Sequence, residues 1–317
     1  MPANLIDELD PEMAAHVRLL QGGAVPLATS TIEEIRAGAR ALRARWPRGP
    51  AMHSVEDSSF EGQRFRLYRP TAAARLPAVI FFHGGGWTLM DIDTHDAIAR
   101  GLAEASGAAL LSLDYPLAPE APFPAAIDAC QRFTEFVAEA AVAFGLVPGA
   151  FGLAGDSAGA NLAVAVALRL RDAKRARPRG LCLLYGAYDS DLERPSYQRY
   201  GTGELPFSRA RMEFFLHSYV PEPAQQRDPL FASLHADLAG LPPSLLLVGS
   251  HDALFDENVA MAERLRAAGN AAQLKIYPGA IHGFIEAART VGAKLARQAL
   301  ADCGAFLAET LGNPEAG

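Results

Sequence analysis

Between residues 76 and 279, six short apolar runs alternate with helix-like stretches, and no other feature of the chain narrows its architecture so far. The runs are LPAVIFF (76–82), AALLSLDY (108–115), FGLAG (151–155), GLCLLYG (180–186), SLLLVGS (244–250) and AQLKIYPG (272–279). Between or after them stand HDAIARGLAEASG (95–107), FPAAIDACQRFTEFVAEAAVAFG (123–145), NLAVAVALRLRDAKR (161–175), ENVAMAERLRAAGN (257–270) and a final helix over 288–311. Strands that are apolar along their length need cover on both faces, and helical crossovers provide it for a parallel sheet. With 50% hydrophobic residues in 317, a large core can be filled. Ahead of the sheet, DPEMAAHVRLL (10–20) and STIEEIRAGARALRARW (30–46) read as amphipathic helices, the second opened by a Thr31/Glu34 capping box. FEGQRFRLYRP (60–70) alternates as a hairpin strand does. Residues 187–240 break the rhythm with a long insertion leaving a strand end. Ligands of open α/β sheets bind beyond those carboxyl ends. The expected organisation is one core domain, 51–317, with residues 1–50 and the insertion 187–240 as two halves of a cap. No internal repeat or low-complexity segment interrupts it.

The net charge of -7 argues against nucleic acid or an anionic membrane surface as a partner. The one basic cluster, RDAKRARPRG at 171–180, reads as a solvated helix end. Cys130, Cys182 and Cys303 are odd in number and widely spaced, which suggests neither a disulfide framework nor a metal knuckle. The first residues, MPANLIDELDPEMAAH, carry neither the basic stretch nor the apolar run of a secretory leader. The apolar stretch near 140–155 is too interrupted by Gly145, Pro148, Gly149 and Gly152 to span a bilayer. The expectation is a reduced, cytoplasmic protein.

Chemistry enters at GLAGDSAGANLA (152–163). Gly155-Asp156-Ser157-Ala158-Gly159 fits G-x-S-x-G between an expected strand and an expected helix, the setting of a nucleophile elbow. A glycine-rich packing turn would also use small residues there, so the reading depends on partners elsewhere. A serine hydroxyl needs a base, and the base an orienting acid. His282 follows the sixth run, between Gly279 and Gly283; Asp252 follows the fifth, with Asp256 as second candidate near a helix start. The order Ser, Asp, His is that of α/β hydrolases. The first run empties into His83-Gly84-Gly85-Gly86-Trp87. Three glycines in a row are destabilising unless main-chain N–H groups must face a ligand, as around the O⁻ of an acyl intermediate. Gly84 and Gly85, completed by Ala158, are the expected oxyanion hole. His83 has no second ligand at zinc spacing and reads as a brace for the glycine loop through a ring hydrogen bond.

HGGGW, DYPLAPE (114–120), GDSAGA, HDALFDE and IHGF, in this order, resemble the hormone-sensitive lipase-like branch of the α/β hydrolases over about residues 75–290, with a similar N-terminal cap. The resemblance implies an α/β-hydrolase fold with a mostly parallel eight-stranded sheet, flanking helices and a helical cap. It also implies hydrolysis of short-chain carboxylic esters through an acyl-enzyme, no cofactor or metal, a small-molecule ester as partner, and dimerisation as in some relatives. Pro116 stands where the family usually has arginine, Ala160 where glycine is common, and Ala253 and Phe255 where proline and arginine are frequent; none is a triad or hole residue. Asp156, an acid beside the nucleophile, reads either as a carboxylate bonded to neighbouring backbone or as a group that tunes the site. Trp87 and Met90 are expected to line the substrate cleft, and Phe207, Phe214 and Phe215 to roof it. A serine amidase or formamidase would use the same parts. A long-chain lipase would need an exposed apolar lid. A binding receptor on this fold would lack a triad member.

Overall fold

The computed structural model describes residues 4–22, 25–27 and 29–312. The six apolar runs become strands β3 (Leu76–Phe82), β4 (Ala109–Leu113), β5 (Leu146–Asp156), β6 (Leu181–Leu184), β7 (Ser244–His251) and β8 (Ala272–Ile281). A hairpin, β1 (Ser54–Phe60) and β2 (Gln63–Arg69), precedes them, and all eight lie in one sheet in the order β1-β2-β4-β3-β5-β6-β7-β8. β2 is antiparallel to β1 and β4; from β4 to β8 every pairing is parallel.

Side chains of β3 show why the run is apolar throughout. Ile80 and Phe82 enter the core shared with α4 (Ala125–Glu139), α5 (Ala158–Asp172) and α8 (Phe255–Ala267). Val79 and Phe81 enter the opposite core, filled by α1 (Pro11–Gln21), α3 (Asp96–Ser106) and α10 (Lys294–Leu311). Alternate residues face alternate layers, and both layers bury them.

Three expectations need correction. β1 was not expected as a strand: SVEDSSF has no apolar alternation, because this edge strand is mostly exposed and is held by its register with β2. Its turn is Glu61-Gly62, with φ of 47° and 81°, the doubly positive pattern that suits a two-residue hairpin. The helix expected over 123–145 stops at Glu139, and β5 begins early, Gly145 at φ 63° standing just before it. The final helix is two, α9 (Ala287–Thr290) and α10, divided at Gly292 with φ 66°.

The insertion holds α6 (Pro195–Tyr200) and α7 (Arg209–Tyr219). Across from it lies α2 (Ile32–Arg43), started by the Thr31/Glu34 capping box with both reciprocal bonds made. Ile35 is its one fully buried residue. Arg36, Arg40 and Arg43, spaced i, i+4, i+7, fall on one face. Arg36 donates to Thr88 O and Ala118 O at 2.9 and 2.8 Å and forks onto Glu120 at 2.7 and 2.8 Å. Arg40 meets Asp91 at 2.6 Å and Arg43 meets Glu286 at 2.7 Å. Guanidinium groups, together with the apolar contacts of Ile35 and Ile32, fasten this helix to the body. Among the described residues no helix is long and apolar enough to cross a membrane.

Candidate active site

Ser157 sits between the last residue of β5 and the first of α5, at φ 53° and ψ -117°. A non-glycine residue there is strained by roughly 1–3 kcal/mol and must be held in place. Its N–H donates to Leu184 O at 2.8 Å, tying the turn to β6. The flanking glycines are required by close approach. A Cβ on Gly155 would meet Gly159 C at 2.3 Å, and one on Gly159 would meet Phe82 O at 1.9 Å. Ala160, by contrast, is buried without conflict beside them.

Three strand ends converge here. Ser157 Oγ lies 2.9 Å from His282 Nε2, and His282 Nδ1 lies 2.8 Å from Asp252 Oδ2. The partners fix the tautomer: Nδ1–H donates to the carboxylate, leaving Nε2 to accept from the hydroxyl. Asp252 is fully buried, and its Oδ1 accepts the Leu254 N–H at 2.8 Å. Asp256 is elsewhere, accepting the Ser196 N–H at 2.8 Å, so of the two candidate acids only Asp252 reaches the imidazole. Phe207 and Tyr185 flank the His282 ring at centroid distances of 4.3 and 5.1 Å.

The glycine loop departs from expectation by one residue. The Gly84 N–H donates to Asp156 Oδ1 at 2.8 Å and is therefore engaged. Gly85 (φ 115°) and Gly86 (φ 60°) face the cavity above Ser157. Among the described residues, the N–H groups of Gly85, Gly86 and Ala158 donate to no internal acceptor. The donors left for an oxyanion are thus those of Gly85, Gly86 and Ala158, not Gly84. Behind the loop, His83 Nδ1 bonds Gly84 O at 2.7 Å and its ring stacks on Tyr115 at 4.3 Å, the brace expected of it. Asp156 also faces His95 Nε2 at 3.4 Å. Burial works to raise the Asp156 pKa, but His95 and the Gly84 N–H outweigh it and hold the carboxyl below its ordinary value.

The cavity has a volume of about 380 Å³ and is bounded by α2, residues 203–208 and α7. Met90, Phe207 and Phe215 line it as expected, and Asp156 reaches its floor. Trp87 and Phe214 do not. Trp87 has φ 56°, which turns its ring inward onto Tyr219, stacked at 4.9 Å and 6°. Phe214 packs beside Phe215 at 5.7 Å, outside the lining. Sequence reasoning missed Gly86, His95, Arg43, Arg211 and Glu286. Only Gly86 had a local signal, as the third glycine of HGGGW; the others come from four separate segments. The three cysteines are buried and unpaired.

A family model described as the alpha/beta hydrolase fold matches residues 79–286. Carboxylic ester hydrolase LipN of Mycobacterium tuberculosis (strain ATCC 25618 / H37Rv) is 38% identical over 262 residues, 79% of this chain and 69% of that protein. Ethyl acetate hydrolase of Pseudomonas putida is 31% identical over 293 residues, 87% of this chain and 92% of that one. Among solved structures, ester-hydrolase EH1AB1 from the Lake Arreo metagenome, in complex with a bipyridine phosphonate derivative, superposes with a TM-score of 0.90. It is 34% identical, covering 96% of this chain and 100% of that one. The hyperthermophilic esterase of Pyrobaculum calidifontis gives a TM-score of 0.88 at 31% identity, covering 95% and 98%. With the elbow, the ordered row of side chains and these matches together, the chain belongs to the α/β-hydrolase fold family, in its hormone-sensitive lipase-like esterase branch.

Proposed function

We propose that this carboxylic ester hydrolase cleaves short-chain acyl esters through an acyl-enzyme on Ser157, and that residues 1–50 and 187–240 act as its cap. The observation that carries the reading is the continuous row Ser157–His282–Asp252, at 2.9 and 2.8 Å, beside three main-chain donors with no acceptor among the described residues. In this mechanism Oγ attacks the ester carbonyl while its proton passes to His282 Nε2. Asp252 stabilises the imidazolium. The oxyanion receives the N–H groups of Gly85, Gly86 and Ala158, the last at the positive end of α5. Collapse expels the alcohol, which takes the proton from Nε2. Water then gives a proton to Nε2 and attacks the acyl carbonyl; the second collapse returns the proton to Oγ and frees the carboxylic acid.

Chain length is the deciding measurement. The walls given by α2 and α7 around a cavity of about 380 Å³ set how long an acyl chain it admits. Across 4-nitrophenyl esters from acetate to palmitate, kcat/KM is expected to peak at the short end and fall by about tenfold or more at palmitate. A peak at palmitate would overturn the short-chain assignment and favour a lipase.

Asp156 is a positioning residue here: it holds Gly84 from behind, and so sets where Gly85 and Gly86 present their N–H groups. Asp156→Ala is expected to lower kcat by about 100-fold, the loss seen when one hole donor is removed, with a much smaller change in KM. An effect confined to KM would refute this role.

A further inference from the structure

We infer that the cavity above Ser157 accepts an ester that itself carries a carboxylate, and that Arg211 is the residue that binds it. The inference rests on the esterase reading and names a substrate class for it. The cavity wall includes charged groups that hydrolysis of a neutral ester does not use: Arg43, Glu204, Arg211 and Glu286, besides Asp156. Each carboxylate among them already has a partner. Asp156 accepts the Gly84 N–H at 2.8 Å, Glu204 the Leu5 N–H at 3.1 Å, and Glu286 meets Arg43 at 2.7 Å and Arg289 at 3.8 Å.

Arg211 has no such partner. Its main-chain N–H donates to Ser208 Oγ, but among the described residues its guanidinium makes no hydrogen bond and no ion pair. The guanidinium carbon lies 6.0 Å from the centroid of Phe215, whose ring borders the cavity against Gly86. Burial, and then the like charge of Arg43, hold Arg211 below the ordinary arginine pKa. Two residues earlier on α7, Arg209 shows the contrast: it turns outward and is paired with Glu193 at 2.6 Å and Glu213 at 3.0 Å. Arg43 and Arg289 share one buried carboxylate, Glu286, at 2.7 and 3.8 Å, while among the described residues the Arg211 guanidinium meets none. A half-buried cation whose neighbour is an aromatic face keeps its hydrogen-bond donors free for a ligand of opposite charge. A planar guanidinium with free donors fits a carboxylate in two-point fashion. The remaining lining, with Leu42, Met90, Leu205 and Phe207, suits an apolar spacer between that carboxylate and the ester.

The carboxylate can belong to the acyl half, as in a hemiester of a dicarboxylic acid, or to the alcohol half, as in an ester of a hydroxy acid. Two substrate pairs separate these. For the acyl half, 4-nitrophenyl hydrogen glutarate is compared with its neutral isostere, 4-nitrophenyl 5-methylhexanoate. For the alcohol half, 4-acetoxybenzoate is compared with 4-acetoxybenzamide. In one pair the anionic ester is expected to have the higher kcat/KM by about tenfold or more, and Arg211→Gln to remove most of that ratio. Arg211→Lys is expected to restore part of it. A purely structural role would lower both members together and leave the ratio intact, which would overturn the proposal, as would a neutral preference in both pairs. If Arg211→Gln does not fold, the wild-type protein still decides: hexanoate should inhibit hydrolysis of the neutral ester competitively and hexanamide should not. Equal inhibition by the two would refute the assignment. If none of the four esters is hydrolysed, the esterase reading itself fails, and this proposal with it.

Discussion

Ser157→Ala is expected to lower kcat on a short-chain 4-nitrophenyl ester by about a million-fold, leaving only what binding and the main-chain donors provide. The size of the loss follows from the geometry. Among the described residues Ser157 Oγ is the only hydroxyl bonded to His282 Nε2, and the methyl of alanine neither attacks a carbonyl nor yields a proton. No thiol can substitute, since Cys130, Cys182 and Cys303 are all buried. The fold should survive, because the elbow is imposed by Gly155, Gly159 and the Ser157 N–H bond to Leu184, none of which needs the hydroxyl. The check is kcat alongside an unchanged thermal midpoint. Were the loss smaller than about tenfold, the nucleophile would have to be sought elsewhere.

The second large effect belongs to Asp252→Asn, expected to cost about 10,000-fold in kcat through the tautomer of His282. One oxygen of Asp252 accepts the Leu254 N–H and the other the His282 Nδ1–H. An asparagine must keep its oxygen on Leu254, since that buried donor needs an acceptor. Its NH2 group then faces Nδ1, which has to become the acceptor. The ring proton moves to Nε2, where it blocks transfer from Ser157. Replacement without a wrong donor, Asp252→Ala, removes the orienting charge but not the acceptor at Nε2. It should therefore retain more activity than the asparagine variant. Finding asparagine the more active of the two would refute this account of the carboxylate.

Much of this was legible in the chain because the triad residues come at strand ends, and strand ends are what apolar runs mark. Ser157, Asp252 and His282 each follow a run, and parallel pairing of β5 through β8 brings those ends to one side. Of the expected donors, Gly84 has its N–H bonded to Asp156 instead of facing the cavity. Which N–H of HGGGW faces the cavity depends on the φ values of Gly85 and Gly86 and on the Asp156 carboxylate behind Gly84. No local pattern encodes those. Trp87 was placed in the cleft by adjacency to the loop, but its positive φ sends it to Tyr219 on α7, a partner more than a hundred residues away. β1 escaped notice because Val55 and Phe60 are its only apolar residues and fall on opposite faces, so no alternation marks it. The charge in the cavity was invisible for another reason. Arg43, Arg211 and Glu286 are unremarkable in their own helices and acquire meaning only where α2, α7 and the turn after β8 meet.

The fastening of α2 has an evolutionary consequence. The helix that roofs the cavity gives the interior two isoleucines, Ile35 buried and Ile32 partly so, and grips the body through three arginines at its rim. Substitutions on its underside, at Ala39 or Leu42, can therefore reshape what the cavity admits while the sheet and its two layers stay as they are. Selection for new substrates and selection for a durable fold then act on different parts of the same polypeptide.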